Sequence, residues 1–387
     1  METRIPYLAP SRELSLLLGL MQGPASLSPG LDKELFFRMV KKNRMEPLVS
    51  QRLTEEIPGY DGDGETLLMM QQISQLGHLA RLFESRGIRA LSVKGPAMAM
   101  EMYDSLSLRS CHDLDFLIDV KQMDQATELL LADGWQWHEA PMLKTPKRRA
   151  ENRRTMQHNL FMKNELYLEL HWRLLPWDCD RFDSLWANRR YTTLGGAQIA
   201  IPSRQDQLCH QIVHNTRHGY HRLKWLADTV QLLPILEKEG DALWRQLEKD
   251  GQQLMLLITM VLLLRFKVLQ LPDISLGGYH FARQEEALSV QCNQADAQLL
   301  QKAIALTDEL LPLLEGTNDG EFSPAQQHYA CQLPRPLFEK SVCRRWLNRL
   351  RPKPWIWEWV DLPDRWYFLY WPLRIIHKLW KILRGIK

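Results

Sequence analysis

At 387 residues the chain has room for two or three domains, and 45% hydrophobic with 25% charged residues is an ordinary globular balance that can bury a core. Its 49 basic and 46 acidic residues leave a net charge of +3, which is too balanced to argue for nucleic-acid binding from charge. The six cysteines (Cys111, Cys179, Cys209, Cys292, Cys331, Cys343) contain no Cys-x-x-Cys pair, which argues against a disulfide framework or a zinc ribbon and fits a reducing cytoplasm.

From Ser11 to Leu53 apolar residues recur at helical spacing, and Leu14 to Met21, too short to span a bilayer and preceded by Arg12-Glu13, reads as a helix of the soluble fold. Pro58 to Gly64 breaks this segment. Leu67 to Arg86 is a long amphipathic stretch closed by Gly87, and Ile88 to Val93 reads as a short strand entering a Lys94-Gly95 turn. A helix follows from Met98 to Tyr103, then an acidic strand from Asp113 to Val120, then a helix from Met123 to Leu131 ended by Asp133-Gly134. The basic run Lys144 to Arg154 precedes a strand pair, His158 to Met162 and Leu166 to His171. It reads as a solvated approach to that hairpin in preference to a loop that meets substrate phosphates. After Pro202 the pattern is helical through Leu314, with helices expected at Gln205–Asn215, Leu223–Leu236, Ala242–Lys249 and Leu254–Leu269.

The stretch from Leu91 to Val120 carries the chemistry. Asp113 and Asp115 are spaced i, i+2 in an apolar run, so on a strand both carboxylates point the same way. Mg²⁺ takes hard oxygen ligands, commonly one or two carboxylates plus substrate phosphates, so paired Asp residues beside a phosphate-sized Gly turn point to a metal-nucleotide site. Pro96 follows Gly95 and supplies no N–H, so this turn must lean on the Lys94 ammonium, with Ser92 as a further hydroxyl donor.

Lys94-Gly95, Tyr103, Arg109, Asp113-Leu114-Asp115 and Tyr167-Leu168-Glu169-Leu170-His171-Trp172 occur in an order that resembles the uncharacterised nucleotidyltransferase family of the polymerase-β-like superfamily, over roughly residues 66–235. The resemblance implies an acidic triad, Asp113, Asp115 and Glu169, that holds two Mg²⁺, with Mn²⁺ able to substitute. It implies transfer of an NMP group from a nucleoside triphosphate to an unidentified acceptor. Glu169 alternates with Leu168 and Leu170, so a strand beside the Asp-x-Asp strand brings it to the same metals. His171 shares the face of Glu169 and orients it or meets substrate. Trp172 reads as core. The superfamily's usual Gly-Ser is replaced here by Gly95-Pro96, which leaves the substrate open. Arg109 is a phosphate clamp or a base paired to an acid at the surface.

His210, His214 and His218 share a helical face, but Cys209 points elsewhere and no other partner has zinc-ligand spacing. The resemblance extends instead to His214 and the run Arg222-Leu223-Lys224-Trp225-Leu226-Ala227-Asp228. It implies a second-domain helix that closes over nucleotide through His214, Arg222 and Lys224. The competing reading is a polar interdomain helix with Asp228 paired to a local base.

Beyond Pro352 fall six of the 14 tryptophans (Trp355, Trp357, Trp359, Trp366, Trp371, Trp380), followed by a segment from Leu373 to Lys387. There Arg374, Lys378 and Lys381 share one helical face, with Ile375, Ile376, Leu379, Ile382, Leu383 and Ile386 around much of the rest. Two readings stand, an interfacial anchor or a helix docked on the protein's own helical domain.

The expectation is an α+β protein with a small mixed-sheet core flanked by helices. It comprises an N-terminal helical segment (1–65), a nucleotidyltransferase core (66–202), a helical C-terminal domain (203–350) and a Trp-rich basic tail (351–387) able to contact a membrane through 353–387. Its setting is the cytoplasm, with the tail at the inner face of the membrane. Two functions compete with nucleotidyl transfer: a small-molecule kinase on the same metal site, and an inactive scaffold or binding protein that keeps the fold.

Overall fold

The computed structural model describes residues 1–53, 56–174, 181–249, 251–268, 273–316, 324–333, 351–352 and 354–383. Cys179, Cys343 and Ile386 lie outside the described residues. The fold is α+β. It divides into two compact units, each discontinuous in sequence. The first comprises the described residues of Met1–Gln71, Ala99–Cys111 and Ser203–Pro336; the second those of Gln72–Met98, His112–Pro202 and Leu337–Lys387. In chain order the strands are β1 (Glu2–Pro6), β2 (Ala90–Ser92), β3 (Asp113–Ile118), β4 (Gln136–Trp137), β5 (His158–Lys163), β6 (Leu166–His171), β7 (Arg190–Leu194), β8 (Ala197–Ile201), β9 (Asp273–Leu276), β10 (Tyr279–Arg283) and β11 (Ala287–Gln291).

The second unit is built on a five-stranded mixed sheet in the order β2-β3-β6-β5-β4. Only β3 and β6 run parallel, and the chain between them supplies the crossover that a parallel pair requires, including the helix Met123–Ala132. Leu114, Phe116, Leu117 and Ile118 of β3 are all buried, which suits a central strand covered on both faces. β5 and β6 form a hairpin whose loop residues, Asn164 and Glu165, both have positive φ (49° and 65°). That loop matches the right-handed twist of the strands, and it sets the register that places His158 opposite His171. The β7–β8 hairpin closes against the helix Gly62–Ser85 where two glycines meet. A Cβ on Gly77 would lie 2.5 Å from the Gly195 carbonyl oxygen, so only Gly admits this approach.

The basic run does not form a loop. Pro146–Thr155 is a helix, N-capped by Thr145 and opened by Pro146 in its first turn, where a missing N–H is harmless. Its bases are held by acids of the same unit. Arg153 pairs with Asp124 and Arg154 with Glu151, while Lys144 pairs with Asp361. Arg148 is fully buried and donates to Asp361, the Leu362 carbonyl and the Tyr370 hydroxyl. The tail helix Tyr370–Leu383 is thereby rooted in this unit, where Tyr370 packs with Leu143, Ile356 and Trp357. On its apolar face Ile375, Ile376, Leu379 and Leu383 are exposed.

The first unit begins with the expected N-terminal helices, Arg12–Leu20, Lys33–Lys42 and Glu46–Arg52, the first two capped by Ser11 and Asp32. Helices follow at Arg204–Arg217, Leu223–Leu232, Leu236–Lys249, Gln253–Arg265 and Ala297–Glu315. Gln253–Arg265 is buried on nearly every side, as its uniformly apolar sequence requires. The stretch from 203 to 314 is not helical throughout, however. Strands β9, β10 and β11 join β1 in an antiparallel sheet of order β1-β11-β10-β9. The β9–β10 hairpin turns on Gly277 and Gly278, both at positive φ (55° and 86°), and β9 alternates exposed and buried side chains.

Candidate active site

Strand pairing assembles an acidic cluster in the second unit. In the parallel β3–β6 register Asp115 lies directly opposite Glu169 and Asp113 opposite Tyr167, so the three acids share one face. One carboxylate oxygen from each of Asp113, Asp115 and Glu169 lies within 4.8 Å of the others. β2 delivers the fourth member. The Val93 N–H donates to the Asp115 carbonyl at 3.1 Å, which carries the next residue onto the acids. Lys94 Nζ then donates to Asp115 Oδ1 at 2.9 Å and stands 3.9 Å from Glu169 Oε2.

Gly95 is required at this turn. Its φ is +68°, and a Cβ there would lie 3.2 Å from the Asp113 carbonyl oxygen. Gly95 and Pro96 open the helix Gly95–Tyr103, so the Pro sits in a first turn that needs no N–H from it. The Ser92 hydroxyl is buried and donates to the Lys94 carbonyl at 3.4 Å.

His171 completes the cluster from β6. Its Nε2 lies 3.0 Å from Asp115 Oδ1 and 3.1 Å from Glu169 Oε2. His158 of β5 stands across from it, with ring centroids 4.8 Å apart and its Nε2 3.7 Å from Glu169 Oε1. His158, Glu169 and His171 form a second group with convergent ligand atoms. The sequence reading did not single out His158, although counting back through the Asn164-Glu165 turn places it opposite His171.

The electrostatics follow from this packing. Burial alone would raise the Asp115 carboxyl, but Lys94 and the hydrogen bond with His171 outweigh it and hold the group well below the carboxylate range. Glu169 is lowered as well, because the hydrogen bond with His171 overcomes burial. Burial would lower both cations, yet the surrounding carboxylates hold Lys94 and His171 above their ordinary values. Burial and the neighbouring His171 push His158 down to about 4, so it is neutral at pH 7.

The donor set fits a divalent cation. Asp115 Oδ2 is buried with no hydrogen-bond partner, a lone pair that nothing on the protein satisfies. Hard carboxylate oxygens on two adjacent strands are what Mg²⁺ or Mn²⁺ accepts.

The remaining basic residues of the sequence reading lie in the first unit. Arg109 is buried, and its Nε donates to both oxygens of the buried Asp228 at 3.0 Å. Tyr103 donates to Asp228 at 3.0 Å. This is the acid-paired reading of Arg109, and the pair is buried, not superficial. Burial would lower the guanidinium, but Asp228 holds it above its usual value. Lys224 is also buried, and its Nζ donates to the Ser110 carbonyl at 3.4 Å. Burial and the neighbouring Arg109 push it down to about 8. Arg222 lies over the Trp225 ring at 5.9 Å, and His214 meets the edge of the same ring at 4.6 Å. Among the described residues, His210, His214 and His218 are not a group with convergent ligand atoms; their rings pack in sequence, tilted by 40° and 43°. Trp172 is buried and donates to the Arg153 carbonyl, as a core residue.

Comparison with known proteins agrees with the geometry. Residues 29–267 match the model of a family described as uncharacterised nucleotidyltransferase. No curated protein and no solved structure matches the chain.

Proposed function

Since the chain belongs to the uncharacterised nucleotidyltransferase family, we propose that it moves an NMP group from a nucleoside triphosphate to an acceptor hydroxyl or phosphate at the β3–β6 cluster. The observation that carries this reading is the register that sets Asp115 against Glu169 with Asp113 beside them, three carboxylates converging within 4.8 Å. Bound there, divalent Mg²⁺ or Mn²⁺, as two ions, supplies charge neutralisation on the reacting phosphate and lowers the pKa of an acceptor oxygen.

The chain's own residues would then divide the work. Asp113 and Asp115 hold the ion that accompanies the nucleotide. Glu169 serves a second ion and takes the acceptor proton. His171, within hydrogen-bond distance of both Asp115 and Glu169, keeps the two carboxylates oriented. Lys94 presents positive charge to the terminal phosphates, while the buried Ser92 hydroxyl, which donates to the Lys94 carbonyl, and Gly95 hold the turn that carries it. In the first unit Lys224 is the residue whose surroundings best favour an anion, being a buried ammonium beside a second cation with one long hydrogen bond to a carbonyl. His214 and Arg222 are assigned with it to nucleotide binding, while Arg109 stays paired with Asp228. A cytoplasmic setting with the tail at a membrane surface belongs to the same reading. It is consistent with Cys111, Cys209, Cys292 and Cys331 forming no disulfide among the described residues.

The test is product labelling with α- and γ-labelled nucleoside triphosphates, using wild type and Asp115→Asn. Transfer of the α label that needs metal and is lost in a folded Asp115→Asn supports the reading. Transfer of the γ label makes the protein a kinase on the same site. Absence of nucleotide binding in calorimetry with all four triphosphates and Mg²⁺ moves the reading to a binding protein that keeps the fold.

A further inference from the structure

The tail helix leaves an apolar stripe uncovered. Ile375, Ile376, Leu379 and Leu383 are 47%, 53%, 55% and 86% exposed, and their spacings of three, four and eight put them on one side of the helix Tyr370–Leu383. Trp359, Trp366, Phe368 and Trp380 add exposed aromatic rings on the same short segment. An isolated exposed Leu means little, but a contiguous apolar patch on one element is unusual for a surface that faces only water.

The root of the helix is fixed. Tyr370 is buried, and its hydroxyl accepts from Arg148 at 2.6 Å and from the Leu362 N–H at 2.7 Å. Arg148 itself is fully buried in the second unit. The segment is therefore held at its first turn, and the exposed stripe lies beyond that hold.

Charge selects the occupant. Residues 370–387 contain five Lys or Arg (Arg374, Lys378, Lys381, Arg384, Lys387) and no Asp or Glu. By helical spacing positions 374, 378 and 381 fall on the side opposite the apolar stripe. A second copy of the chain would set five cations against five, which opposes pairing of this face with itself. An apolar stripe with Trp380 beside it by helical spacing, and basic positions opposite, is the composition of a helix that lies in a lipid headgroup layer. No described helix is long and apolar enough to cross a membrane.

We infer that the tail helix lies flat on an anionic lipid surface, with Ile375, Ile376, Leu379 and Leu383 in the acyl boundary and the Arg148–Tyr370 contact holding the second unit to it. This inference deepens the membrane setting that belongs to the proposed function, and it is tested without the transfer chemistry.

The experiment is flotation of the full-length protein with phosphatidylcholine vesicles, with and without phosphatidylglycerol, paired with light scattering to measure mass. Because Ile376 and Leu379 are exposed, Ile376→Glu/Leu379→Glu should keep the wild-type melting temperature. The expected result is binding to anionic vesicles at least about tenfold stronger than to neutral ones, weakened by salt and lost in the double variant. Failure to float with anionic vesicles, or equal flotation of the double variant, would overturn the inference. So would a wild-type dimer that the double variant dissociates, which would assign the stripe to a second copy.

Discussion

Lys94 Nζ donates to Asp115 Oδ1 at 2.9 Å, so the one lysine of the Gly turn neutralises the most buried acid of the cluster. Asp115 is therefore already met by an ammonium on one side and His171 on the other. A divalent ion at Asp115 must compete with Lys94, and a lysine displaced in that way becomes available to phosphate. Lys94→Met removes the competitor while keeping the length of the side chain. Without nucleotide the variant should bind Mn²⁺ about tenfold more tightly, about 1.4 kcal/mol. It should also melt at a lower temperature than wild type and recover more on adding metal, while nucleotide turnover is lost. Mn²⁺ titration followed by electron paramagnetic resonance checks it. Equal affinities in the two proteins would mean that Lys94 does not compete for Asp115.

Gly95→Ala probes the turn itself. Alanine would have to adopt φ +68° and place its Cβ 3.2 Å from the Asp113 carbonyl oxygen. The left-handed conformation costs about 1–2 kcal/mol for a residue with a Cβ, and displacement of the Asp113 backbone adds to it. The expected loss of stability is about 2 kcal/mol, with metal affinity falling because Asp113 moves. Denaturant unfolding and Mn²⁺ titration read the two effects separately. A variant as stable as wild type would show that the turn relaxes.

Much of the site was legible because it is local. Asp113 and Asp115 sit two apart on one strand, and Glu169 and His171 repeat the same spacing on another, so strand periodicity alone orders each pair. The pairing of β3 with β6 is not local, and the resemblance, not the spacing, joined the two halves. His158 went unremarked because its place depends on counting a register through a hairpin turn. The β1-β11-β10-β9 sheet was missed for two reasons. β9 to β11 are strands of four or five residues between long helices, although the Gly277-Gly278 turn was a hairpin signal in plain view. β1 pairs with a strand far along the chain, Glu2 with Gln291, which no short window can show. The basic run was read as surface because charge runs usually are, yet Arg148 is among the most buried side chains of its unit. Its partners, Asp361, Leu362 and Tyr370, come from the far end of the chain.

Lys224 gives a pH signature. Its folded value is pushed down to about 8 from the usual 10.5 by burial and by Arg109. A lysine depressed in the fold is protonated in both states at pH 7, and there the fold bears the whole cost of burying the charge. Between about pH 8 and 10.5 the unfolded chain holds one more proton than the folded one, so stability rises with pH across that window. A shift of this size corresponds to roughly 3 kcal/mol. Lys224→Met should therefore stabilise the protein at pH 7 and flatten this rise, as measured by denaturant midpoints of both proteins from pH 7 to 10. A triphosphate that neutralises Lys224 should protect wild type at pH 7 and leave Lys224→Met less affected. A steeper rise in the variant would contradict the assignment.

The Tyr370 hydroxyl works as a junction. It accepts from Arg148 Nη2 at 2.6 Å and from the Leu362 N–H at 2.7 Å, and it donates to the Val360 carbonyl at 3.0 Å. Arg148 is fully buried, so removing the hydroxyl takes one acceptor from a guanidinium that water does not reach. Asp361 and the Leu362 carbonyl remain to it, which keeps the loss short of that for a stranded charge. Tyr370→Phe should therefore cost about 1–3 kcal/mol, and the loss should fall on the tail before the sheet. Hydrogen exchange separates the two. Amides of Tyr370–Leu383 should exchange faster in the variant while those of β3 and β6 keep their protection. Arg148→Met removes the charge together with its bonds, so it should destabilise the root less than its number of lost contacts suggests. Uniform loss of protection across β3, β6 and the tail would mean that the contact holds the whole sheet together and is not a local anchor of the helix.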